Sequence, residues 1–111
     1  MKRLFIPLTS EAFYWFRDNG KAFELRTYGR IWTEKNVYTG RETELRRGYS
    51  TQDKIHGKVG RVITGSISQI FKELDFKKII PVADSEEDAI ERADNILNGR
   101  KEKYIAFEII R

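Results

Sequence analysis

The chain has 111 residues with no cysteine and one histidine; 34% of its residues are charged, and its formal net charge is +4. Disulfides, thiolate chemistry and metal sites built from several His or Cys are thereby excluded, and neither a metal nor another cofactor is expected. No apolar run approaches the ~20 residues of a membrane span, and Leu4 to Leu8 is too short for the centre of a signal peptide, so the expectation is one cytoplasmic domain over residues 1–111, a monomer or weak dimer without a membrane partner.

In chain order, Leu4, Ile6 and Leu8 alternate with Arg3, Phe5 and Pro7. The two-residue period predicts a short strand, and the proline places it at an edge. Thr9 and Ser10 can cap a helix from Glu11 to Asp18, whose Phe13, Trp15 and Phe16 form a dense core load. Asn19-Gly20 ends it. Residues 22–28 alternate again, with Phe23 and Leu25 opposite Glu24 and Arg26. A bend at Gly29-Arg30 and a resumed strand at Ile31-Trp32-Thr33 follow, then a turn at Thr39-Gly40 and an extended stretch from Arg41 to Arg47. His56-Gly57 reads as a polar turn before a strand from Lys58 to Thr64, in which Gly60 marks a bulge or barrel bend.

Ser66 or Ser68 begins a short helix through Ile70, Phe71 and Leu74. Asp84-Ser85-Glu86-Glu87-Asp88 is a strong helix start, with acids facing the positive end of the helix dipole. Ala89, Ile90, Ala93, Ile96 and Leu97 continue that helix, and Asn98-Gly99 stops it. Tyr104 to Ile110 forms a last strand with Ile105, Phe107 and Ile109 on one face. Short strands between turns, closed by a returning strand, predict an α+β fold: a small mixed β-barrel flanked by two or three helices.

Charge is unevenly spread. Arg17 to Arg61 holds eleven Lys and Arg against six Asp and Glu, whereas Asp84 to Asn98 holds six acids against Arg92 alone. The basic middle suits phosphates, and the acidic helix is expected on the side away from a ligand. The residues with most chemistry are Lys21, Glu24 and Arg26. Glu24 and Arg26 share one strand face, Lys21 sits at the preceding turn, and together they can hold an anion or read the edge of a base. Tyr28, Trp32, Arg47, Tyr49 and Ser66 are further ligand or RNA contacts by residue type, as stacking rings and phosphate donors.

The stretch Asn19-Gly20-Lys21-Ala22-Phe23-Glu24-Leu25-Arg26 resembles the Gly-x-Lys-x-x-Glu-x-Arg motif of ASCH domains, in the PUA-like superfamily, with Asn19 in place of the motif glycine. Gly40 to Tyr49 resembles that family's second hairpin, and Gly65 to Phe71 its strand-to-helix corner. The resemblance implies a PUA-like barrel with a cleft lined by Lys21, Glu24 and Arg26, and a partner that is RNA or a nucleotide-like small molecule. One branch is similar to small amidohydrolases acting on N4-acetylcytidine, which use the motif lysine with a threonine three residues on. Here Glu24 stands in that threonine's place. In that reading Lys21 and Glu24 are the catalytic pair, Lys21 serving as base or nucleophile if burial lowers its pKa, although Glu24 beside it should raise that pKa. A protein-interaction domain using the acidic helix and a barrel edge is the third reading.

Overall fold

The computed structural model describes residues 2–49, 52–99 and 101–111. Its elements run β1 (Leu4–Leu8), α1 (Ser10–Asp18), β2 (Phe23–Thr27), β3 (Glu42–Arg47), β4 (Lys54–Gly65), α2 (Ile67–Glu73), a 3-10 turn (Phe76–Lys78), α3 (Glu86–Ile96) and β5 (Tyr104–Ile110). The strands form one curled, mixed sheet in the order β1-β3-β4-β5-β2. β1 is parallel to β3, and the other pairs are antiparallel. β1 and β2 are the two edges and share no ladder, so the sheet is a half-barrel with an open seam.

Burial follows the sequence pattern. Leu4, Ile6 and Leu8 of β1 are buried and pack with Phe13 and Phe16 of α1 inside the curl, against Ile105, Phe107 and Ile109. β5 lies between β4 and β2, so its opposite face is buried as well: Tyr104 and Ala106 join α2, α3 and Trp15 in a second cluster. The predicted caps are in place. The Thr9 hydroxyl accepts from Ala12 N–H, and the Ser85 hydroxyl from Asp88 N–H.

Two expectations fail. Ile31-Trp32-Thr33 does not resume a strand. Gly29 and Arg30 both take positive φ, and Gly29 and Trp32 exchange backbone hydrogen bonds across a tight reversal. His56-Gly57 is not a turn either: β4 begins at Lys54, and His56 lies opposite Glu44 of β3, 3.0 Å from its carboxylate. That cross-strand pairing outweighs the turn-like composition. The predicted irregularity at Gly60 is real, for the β4–β5 register shifts between Val59 and Val62.

Candidate functional site

A cavity of about 540 Å³ opens at the seam between β1 and β2. Pro7, Leu8 and Thr9 form one side, and Leu25 with the Lys21–Glu24–Arg26 group forms the other. Trp15 and Ala12 of α1, the Ile79-Ile80 segment, and Ala93, Ile96 and Leu97 at the end of α3 supply apolar walls. Such a space, mostly apolar with a few convergent polar groups, has the size and character of a small-molecule site.

The polar group follows from the strand geometry. Glu24 and Arg26 project together from β2 as the two-residue period requires, and Phe23 and Leu25 are buried on the other face. Glu24 is only 7% exposed and Lys21 6%. The Glu24 carboxylate lies between the two cations: Oε1 is 3.5 Å from Lys21 Nζ, while Oε2 is 2.8 Å from Arg26 Nε and 2.7 Å from Nη2. Lys21 Nζ also donates to the carbonyls of Phe23 at 2.7 Å and Ile79 at 2.5 Å. Two of the three ammonium protons are thus taken by carbonyls, and the Glu24 carboxylate lies at ion-pair distance. Arg26 Nη2 reaches across the seam to the Pro7 carbonyl at 2.6 Å.

Burial lowers the pKa of Lys21. Desolvation is the largest influence, and Glu24 opposes it by charge and hydrogen bonding without overcoming it. The expectation that Glu24 would set the direction is corrected: the ammonium is so deeply enclosed that loss of water outweighs one carboxylate.

The other residues singled out by type are not brought to this cavity. Trp32 stands behind it, its ring 4.5 Å from the Arg26 guanidinium carbon and stacked on Phe107. It holds Arg26 and does not face the open space. The Tyr28 hydroxyl donates to Glu34, with Lys103 over its ring. Arg47 pairs with Asp53 at 2.7 Å, and Tyr49 is 80% exposed beside Phe5. The Ser66 hydroxyl caps α2 in a reciprocal pair with Gln69. The acidic helix expected on the far side instead supplies a cavity wall from its apolar C-terminal half. Sequence reasoning missed the Pro7 carbonyl, Ile79, and the wall from Ala93 to Leu97. Helical spacing marked the last group, but only as core.

No family model matches the sequence, and no curated protein matches it. Solved structures do. The hypothetical protein PH0355 superposes with a TM-score of 0.78 at 16% identity, covering 98% of each chain. Protein PF0455 from Pyrococcus furiosus gives 0.70 at 16% identity, covering 98% of this chain and 96% of that one. An ASCH protein from Zymomonas mobilis gives 0.68 at 13% identity, covering this whole chain and 70% of the other. The fold is that of the ASCH domain. At these identities the likeness carries the architecture alone; within the ASCH fold, the Lys21 group lies at the seam between the two edge strands.

Proposed function

We propose that this ASCH fold binds RNA or a modified nucleotide by taking a nucleobase into the seam cavity. The observation that carries this reading is the Glu24 carboxylate, held between Lys21 and Arg26 on the floor of an apolar cleft. The apolar walls favour the faces of a flat ring, and a fixed carboxylate accepts from an exocyclic amine or ring N–H. The cavity volume suits one base with its sugar at the mouth.

The test is calorimetric titration of the protein with nucleosides and short single-stranded RNAs, repeated on Glu24→Gln. The expected result is binding by at least one base-bearing ligand, weakened about tenfold or more in the variant, equivalent to about 1.4 kcal/mol. A silent panel, or affinity unchanged in a folded Glu24→Gln, sinks the reading in favour of an interaction domain.

One observation favours a second reading, hydrolysis of an acylated nucleoside: the lowered pKa of Lys21, which raises the share of neutral amine able to act as a base. Against it stand the two backbone carbonyls already occupying that amine. Turnover of N4-acetylcytidine to cytidine and acetate separates the two readings.

A further inference from the structure

The ladder positions define which backbone groups face the seam. Tyr28 N–H donates to Lys103 C=O, and Ile109 N–H donates to Ala22 C=O. Both are in-register pairs of the β2–β5 ladder, so even-numbered residues of β2 spend their backbone groups on β5. The odd-numbered residues Phe23, Leu25 and Thr27 turn theirs outward, to the seam. The Phe23 carbonyl is taken there by Lys21 Nζ. The opposite edge agrees, since Leu8 C=O accepts from Gly48 of the β3 side while Pro7 C=O faces the seam and accepts from Arg26. Leu25 is left with an outward N–H and an outward C=O on a residue that lines the cavity, and neither has a partner among the described residues.

The cations of the site are mostly committed. Lys21 Nζ donates to two carbonyls and is ion-paired with Glu24, and Arg26 spends Nε and Nη2 on Glu24 and Pro7. A phosphate entering the cavity would have to displace these partners. A buried donor and acceptor on an apolar floor instead call for a neutral ligand edge that supplies both.

We infer that the edge of β2 at Leu25 reads the ligand by main-chain hydrogen bonds, and that the cavity takes an uncharged planar ring bearing adjacent N–H and acceptor groups, with the phosphate left outside. This rests on the base-binding reading above and names the part of the ligand that enters. An extended peptide could pair with the same edge, but the Arg26–Pro7 bond crosses the seam one residue away and blocks a continuous added strand. A single ring fits on one side of that bond.

The experiment uses the wild-type chain with uridine and inosine, each beside its ring-nitrogen-methylated counterpart, which stays uncharged, with pyrophosphate as competitor. At least one parent nucleoside should bind, its methylated counterpart should bind tenfold more weakly or worse, and pyrophosphate at the same concentration should not compete. Leu25→Pro removes the outward N–H and leaves the β5 ladder intact, a position where an edge strand tolerates proline. It should lose affinity tenfold relative to Leu25→Ala, which controls for the lost side chain. If Leu25→Pro does not fold, the methylated ligands still decide. A nucleoside that weakens in Glu24→Gln yet ignores ring methylation, or is displaced by pyrophosphate, overturns this inference alone. Silence across all nucleosides overturns it together with the base-binding reading.

Discussion

Arg26 of β2 donates to the Pro7 carbonyl of β1 at 2.6 Å, and so ties together the two edges of a sheet that have no ladder between them. The same guanidinium holds Glu24 and rests on Trp32. One side chain thus sets both the width of the seam and the position of the carboxylate on its floor.

Arg26→Ala should destabilise the protein by about 1.5–3 kcal/mol, the scale of hydrogen bonds to a charged group. Arg26→Lys should recover only part of this. A lysine restores the charge but not the planar fork that reaches Glu24 and Pro7 together, nor the stacking on Trp32. Urea unfolding of the three proteins checks it. Equal stability of Arg26→Lys and wild type would mean that the charge alone matters and the seam tie does not.

The two glycines of β4 should respond differently to alanine. A Cβ at Gly57 would lie 2.8 Å from the Ile110 carbonyl oxygen, a backbone atom held in the sheet. One at Gly60 would overlap the Glu108 carboxylate and meet the Ile110 Cδ1 at 2.7 Å, both ends of side chains. Glu108 can swing away at the cost of its bond from Arg61 N–H. Gly57→Ala is expected to cost about 1–3 kcal/mol, as overpacking does, and Gly60→Ala less. Thermal unfolding of both variants measures the order, and the reverse order would contradict the contact geometry.

The site was legible in the sequence where one element determines it. Glu24 and Arg26 share a strand face by parity alone, and Thr9 and Ser85 announce their helices by residue type. The features that failed or were missed depend on contacts distant in the chain. The Pro7 carbonyl is a main-chain group and has no residue signature. Trp32 looked like a pocket ring because nothing local reveals that Arg26 will cover it. His56 beside glycine has turn composition, and only Glu44 across the hairpin makes it a strand residue. Ala93, Ile96 and Leu97 have the period of a buried helix face, and a cavity wall has the same period as a core.

Salt should separate base binding from backbone binding. A neutral nucleoside in the cavity makes no phosphate contact, so its affinity should stay nearly flat from low to physiological salt. An RNA strand would also cross the outer face of β1, β3 and β4. There Arg46 is paired with Glu44, whereas Arg3, Lys54 and Lys58 have no ion-pair partner among the described residues. Three cations outside ion pairs, at about −0.7 each, give a log–log slope near −2 for single-stranded RNA. Titrations at several salt concentrations measure it. A nucleoside affinity that falls steeply with salt would place a phosphate-type contact inside the cavity and count against the base reading.

Lys21 gives the most exacting test, because its structural and chemical roles predict different results. Lys21→Met leaves the Phe23 and Ile79 carbonyls short of a donor while Glu24 keeps Arg26, and a buried acceptor left without its partner costs about 1–3 kcal/mol. The pH dependence follows from the lowered pKa. The folded-state value lies below the ordinary 10.5, so between the two the unfolded chain holds more protons than the folded one. Stability from this group thus rises with pH through that window and is complete above 10.5. Urea unfolding of wild type and Lys21→Met from pH 7 to pH 10 should show the wild-type advantage growing toward high pH, other titrations cancelling in the difference. A gap that shrinks instead would mean that Glu24 outweighs burial. If the neutral amine is also catalytic, turnover of N4-acetylcytidine should climb over the same pH range in the wild type and vanish in a folded Lys21→Met that still binds cytidine. Binding without turnover at any pH leaves Lys21 as the residue that ties β2 to the Ile79 segment and holds Glu24 beneath the ligand.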